Sequence, residues 1–409
     1  MTTRRSLLRL AGGAAGVVVL GACTSRTGAQ PEARTKATPA DLLFVATAAG
    51  LTVVRADTGK PTLDQPAVLA TADWARVVAA QPEGASTRIV TREAKTGQIM
   101  SGGTFRDRLE PRVISPDGRL VALATPGARE QTTIVVVDAG GERVRFNLRG
   151  NIEPEAFSAA GDMLFVLDHL PPLAPDRYRV RMVDLRTGHA QPLFTKDKVP
   201  VPAGAEEEMR GQGRQAAYDA TRKMLFTLYT HQPDHEHTRD LLGTGARKGK
   251  PHVHAFVHSL HLEQGWAFCV DLPAPFGEGP AAAHAITKSP TAGLLTVVDA
   301  SSGSVASIDA DELTVTRVTK VTAQQGEAWA RETTGGDLVV AAGTSVRSML
   351  TGRSIRLPAP ARGLALGAGT TIWVGQENAA VTYDTASGAE LARVSVPGLV
   401  GLRHVIPVA

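Results

Sequence analysis

One short unit recurs along this chain and limits what it can fold into: an apolar strand, a tight turn carrying Asp, Thr or Ser and Gly, then another strand. Val183-Asp184-Leu185-Arg186-Thr187-Gly188, Val298-Asp299-Ala300-Ser301-Ser302-Gly303 and Tyr383-Asp384-Thr385-Ala386-Ser387-Gly388 are clear copies. Arg55-Ala56-Asp57-Thr58-Gly59 and Arg92-Glu93-Ala94-Lys95-Thr96-Gly97 are looser ones. The Asp carboxylate hydrogen-bonds the turn backbone and Gly accepts positive φ, so each copy closes a hairpin. A second polar turn precedes it, as in Ser115-Pro116-Asp117-Gly118-Arg119 before Leu120–Ala124 and Ser289-Pro290-Thr291-Ala292-Gly293 before Leu294–Val298.

Second strands of such units begin near Leu42, Arg76, Leu120, Met163, Met224, Leu294, Leu338 and Thr371, mostly thirty-odd to forty-odd residues apart, with the Met224–Leu294 unit stretched. No long amphipathic helix pattern lies between them. Evenly spaced short strands with turn signals indicate a sandwich, barrel or propeller, and this period with four strands favours the propeller. The expected fold is all-β: a β-propeller of eight, or seven, four-stranded blades over 41–409. The ends fit ring closure. Leu402–Val408 reads as an innermost strand without a following partner, and Leu42–Val45 as a second strand without a preceding one, so the two termini complete one blade.

On these turns the chain resembles secreted propellers of YVTN and PQQ-like repeats, over about Leu42 to Val408. The resemblance implies a fold that hosts dehydrogenases, lactonases, metal carriers and pure binding modules, so it does not choose among them. It also implies that ligand sites gather on the face where the innermost strands begin. The tryptophan-docking pattern of quinone-binding repeats is not evident, since the chain has only four Trp.

The first residues belong to a different kind of segment. Arg4, Arg5 and Arg9 precede an apolar run, Leu10 to Leu20. This is an export leader rather than part of the domain, and it is shorter than the roughly 20 residues a spanning helix needs. Thr3-Arg4-Arg5-Ser6-Leu7-Leu8-Arg9 resembles the twin-arginine motif, and Leu20-Gly21-Ala22-Cys23 resembles the lipobox of bacterial lipoproteins. The resemblance implies a signal peptide over 1–22, lipidation of Cys23 and anchorage on the extracytoplasmic face of the cell membrane. The polar stretch 24–40 reads as a tether. Of 44 Lys and Arg against 40 acids, three leave with the leader, so the mature charge is close to neutral. No basic block interleaved with aromatics points to nucleic acid.

Seven of the eleven histidines lie between His231 and His261. In the expected blade, Met224–Thr230 is the second strand, His231–Pro251 an extended loop, His252–Leu262 the third strand and Trp266–Leu272 the fourth. Alternation puts His252, His254, Phe256 and His258 on one side of the third strand, with His261 opposite. Neutral imidazole is a common ligand of zinc and copper. His231, His235, His237, His252, His254 and His258 are therefore candidate ligands for Zn or Cu. The two His-x-His pairs would converge if the loop folds back. The bland alternative is strand histidines bonding to neighbouring strands and loop histidines in solvent.

Other signals are weaker. Gly243 to Lys250 lacks the spacing of a phosphate loop and reads as a flexible basic loop. Cys269, in an apolar strand, reads as a buried structural residue. Glu206-Glu207-Glu208 reads as a solvated connection. No Gly-x-Ser-x-Gly elbow is present. Three functions are open: a binding module for an unidentified protein or small ligand without catalytic machinery, a metal-binding or metal-delivery lipoprotein, and a propeller enzyme of the lactonase or dehydrogenase class.

Overall fold

The computed structural model describes residues 39–210, 212–232, 235–243 and 254–408, apart from the side chains of 212–214. The leader, Cys23, most of the tether, His252 and most of the glycine-rich loop lie outside the described residues. Eight antiparallel sheets follow one another along the chain, each blade radiating from a common axis. All eight second strands start within a residue of the positions expected from the turns. Eight blades, not seven, are present, and the stretched unit is one blade with a long second-to-third loop.

Ring closure takes the expected form. In blade 1, Leu399–Ile406 pairs as the innermost strand with Leu42–Thr47, which pairs outward with Gly50–Arg55. The outer edge is met only by single bridges, Leu51 to Ala67 and Val54 to Pro61. Asp41 fastens the join. Its carboxylate accepts the Trp373 indole N–H at 2.8 Å and the Val408 backbone N–H at 3.2 Å, in a position only 1% exposed.

The turns behave as their chemistry requires. The Asp184 carboxylate accepts the backbone N–H groups of Arg186 and Thr187, and Asp299 does the same for Ser301 and Ser302. Gly303 has φ +64°, and a Cβ there would lie 2.2 Å from the Val321 carbonyl oxygen, so no other residue fits. With few aromatics, the blades stack through Val, Leu, Ile and Ala. Leu228, Val257 and Val270 of blade 5 meet Leu295, Val297 and Ile308 of blade 6. The junction of blades 4 and 5 is richer, with Phe165, Met182, Met209, Tyr229 and Phe256 beside Cys269.

Antiparallel connection sorts the loops onto two faces. First-to-second and third-to-fourth turns share one face, the turn face. Second-to-third loops and the connections between blades share the other, the loop face. Leu42 begins a second strand and Ile406 ends a first strand, so both lie on the turn face.

Asp41→Ala leaves the buried Trp373 N–H unpaired and should lower unfolding free energy by about 2 kcal/mol. Urea unfolding checks this; a loss below about 0.5 kcal/mol, the level of an ordinary surface change, would show that closure does not rest on this residue.

Candidate functional site: a buried carboxylate shared by two imidazoles and a thiol

The site sits on the loop face between blades 4 and 5. Its geometry begins with a ladder of arginines. Arg177, Arg179 and Arg181 alternate along the third strand of blade 4 (Arg177–Asp184) and so project from one side of it. The connection to blade 5 runs back alongside, pairing Met209 with Tyr178 and Arg210 with Arg177. Glu206 accepts from Arg179 Nη1 at 3.0 Å and lies 2.9 Å from Arg181 Nε, and Arg179 also holds Asp168 at 2.9 Å. Glu208 accepts from Arg177 Nε at 2.7 Å. The solvated loop expected for these acids is thus corrected: Glu206 and Glu208 are drawn onto the ladder, where the half-buried guanidinium groups supply the partners that a buried carboxylate such as Glu206 needs.

With its neighbours committed to blade 4, Glu207 points the other way, into blade 5. One atom, Oε1, accepts from His235 Nε2 at 2.7 Å, His237 Nδ1 at 2.8 Å and Cys269 Sγ at 2.9 Å. Burial alone would push this carboxyl up, but the hydrogen bonds and charge of the two imidazoles hold it well below the usual carboxylate range. His237 donates its other nitrogen to Asp271 at 2.7 Å. Burial opposes its charge, yet Asp271 and Glu207 together raise its pKa, which favours the imidazolium. Burial and the adjacent Glu207 charge push the Cys269 thiol well up, so it keeps its proton. Only 2% of each histidine side chain is exposed, and 12% of Glu207. His235 Nδ1 is buried without a hydrogen-bond partner among the described residues.

The loop that delivers the histidines is not wholly extended, as the sequence suggested. It contains a single helical turn, α1 (Thr238–Leu241), whose start is fixed by Asp240 accepting the His237 backbone N–H at 3.1 Å. Arg239 in that turn reaches the fourth strand of blade 5, donating to the Cys269 carbonyl at 2.7 Å and to Asp271 at 2.8 Å. His235 stacks on Phe256, with centroids 4.5 Å apart.

Of the sequence candidates, His235, His237 and His258 gather here. His258 stands directly across the strand pair from Cys269, is 4% exposed, and lines a cavity of about 250 Å³ beside the cluster. Burial lowers its pKa to about 4, so it is neutral. His231 lies elsewhere, with its ring 6.4 Å from that of His284. His254 is exposed, and the third strand begins after it, at Ala255. The two His-x-His pairs are therefore not seen to converge. Glu207, Cys269 and Asp271 were missed as site residues. Glu207, His237 and Cys269 have ligand-type atoms within 4.8 Å of one another, the group among the described residues best placed to hold an ion. The signals that pointed to them were the Arg-x-Arg-x-Arg alternation, which demands acids, and the register that sets Cys269 opposite His258.

No protein-family model matches the chain, and no curated protein matches it in sequence. Among solved structures, apo AztD from Citrobacter koseri is 12% identical, covering 90% of this chain and 98% of its own, with a TM-score of 0.54. The dihydro-heme d1 dehydrogenase NirN in complex with DHE is 14% identical, covering 93% of this chain and 78% of its own, with a TM-score of 0.49. At such identities the likeness to AztD concerns the fold: the chain is an eight-bladed β-propeller.

Arg179→Met strips two buried carboxylates of their partner and should cost about 3 kcal/mol or more. Arg177→Met, whose partners Asp176 and Glu208 are 60% and 37% exposed, should cost under about 1 kcal/mol. Urea midpoints separate the two; equal losses would refute the ladder as the anchor of Glu207.

Proposed function

We propose that the protein is an extracytoplasmic, lipid-anchored β-propeller that binds one transition-metal ion at the junction of blades 4 and 5. The observation that carries this reading is the convergence of two imidazoles and a thiol on a single buried carboxylate oxygen. Glu207, His237 and Cys269 would hold the ion. Mixed oxygen, nitrogen and sulfur ligands suit zinc. Calcium and magnesium take oxygen ligands, and thiolate-bound Cu(I) has little use for a carboxylate, so zinc stands ahead of copper. His237 already donates through both nitrogens and Cys269 is protonated, so in the metal-free protein protons occupy the donor atoms. Metal ligation releases such protons. The same geometry argues against a thiol nucleophile, which needs a lowered pKa.

The anchor rests on the leader, the lipobox-like Leu20-Gly21-Ala22-Cys23 and the tether that follows. No helix among the described residues is long and apolar enough to cross a membrane. A second reading, a module that binds a small ligand without any ion, draws support from the cavity beside the cluster.

Zinc titration against a competing chromophoric chelator tests the first reading. One equivalent should bind. Glu207→Gln, His237→Asn and Cys269→Ser should each weaken it by more than the roughly 10–100-fold that loss of an outer partner costs. His231→Ala and His254→Ala should not. Absent binding, or full affinity in the first three variants, overturns the assignment. Separately, Cys23→Ala should release the protein from membranes of its host into the soluble fraction; retention in the membrane overturns the anchor.

A further inference from the structure

The donor cluster does not close on itself. His258 is almost wholly buried and faces the cavity, and no hydrogen bond to either ring nitrogen is found among the described residues. Its ring is therefore open to whatever fills that space. The cavity has room for about eight waters at roughly 30 Å³ each. Leu193, Phe194, Val201, Leu242 and Phe268 form its apolar walls, while Glu207, His237, His258 and Cys269 supply polar atoms along one side. Glu206, also in the lining, is neutralised by Arg179 and Arg181. At the exposed rim stand Lys196 and Asp197. Metal sites that serve structure alone are closed by four protein ligands, whereas sites that act on other molecules keep a position open. Here the open side of the cluster is the side the cavity occupies.

We propose that the cavity is a second binding site, for a small monocarboxylic acid with an apolar body, whose carboxylate reaches the bound ion and accepts a hydrogen bond from His258. This rests on the metal reading above. The head group has two tasks: it must give a lone pair to the ion and accept an N–H from an imidazole beside it. A carboxylate has two oxygens and performs both at once. An alkylamine is protonated near neutral pH, so it offers the ion no lone pair and cannot accept the N–H. The rest of the molecule must be largely apolar, because Arg239 in the lining is already committed to Asp271 and the Cys269 carbonyl, leaving Thr195 and Thr238 on otherwise mostly apolar inner walls, and small, because the volume admits little more than one aromatic ring.

Cobalt(II) in place of zinc gives the readout, since its visible absorption reports its ligands. Benzoate is the probe, with benzyl alcohol and benzylamine as controls of similar shape. Benzoate at millimolar concentration should shift the cobalt bands of the full-length protein, and the two controls should not. His258→Phe should weaken the benzoate response about tenfold while cobalt still binds. Val201→Trp, and Val199→Trp at the rim as a second filling variant, should abolish the response and leave the acid-free cobalt spectrum unchanged. A normal cobalt spectrum that ignores benzoate overturns this inference and spares the metal reading. So does a response that survives both filling variants in folded protein, because the acid would then be binding elsewhere. If cobalt gives no ligand-field bands at all, the metal reading falls and the carboxylate site falls with it.

Discussion

The site depends on how the connection into blade 5 divides its three acids between two blades. Glu206 and Glu208 are taken by the arginine ladder of blade 4, and Glu207 between them faces blade 5. The ladder thus does more than neutralise two acids. It sets the direction of a third carboxylate that touches none of its guanidinium groups. Burying one carboxylate is costly unless donors surround it. His235, His237 and Cys269 supply those donors, and the α1 turn and Asp271 hold His237 in place. Each element is explicable only with its neighbours, which is why the cluster lies where two blades meet rather than within one.

The same arrangement discriminates among chemistries. A thiol beside an imidazole is a familiar nucleophilic pair, but here the thiol donates to a carboxylate and its proton is held. His237, on the same carboxylate oxygen, is held towards its protonated form by Asp271 and Glu207. Neither of these two groups is poised as a base. What the cluster does offer is several donor atoms of mixed hardness around one point, largely buried, with a neutral histidine at the cavity wall.

Much of the fold was legible in the sequence because its turns are chemically strict. Asp, Ser or Thr and Gly recur where a hairpin must close, and a ring built from copies of one unit repeats that demand at every blade. Counting the turns therefore located every second strand, and the unpartnered strands at both ends showed how the ring shuts. The site was only half legible. Histidine density drew attention to blade 5, and His235, His237 and His258 do lie together. Spacing within one blade could not reveal that the central carboxylate comes from the connection out of blade 4. Three consecutive glutamates look solvated when read alone; only the strand pairing of Met209–Arg210 with Arg177–Tyr178 brings the arginines into reach. His231 and His254 fell away for a related reason: they flank the loop where it leaves and rejoins the sheet, beyond the stretch that turns in towards Glu207.

The division of the propeller into two faces has a bearing on how the molecule is displayed. Most of the repeated turns, those joining third to fourth strands, share one face with residue 42, and Glu207 with its partners sits on the other. Anything joined ahead of Asp41 hangs from beneath, like a string tied to the back of a dish. For a protein held by Cys23, seventeen residues separate Cys23 from Asp41, a leash of at most roughly 65 Å. The dish would then sit open side outward, with its histidine-lined hollow turned from the bilayer towards whatever diffuses past.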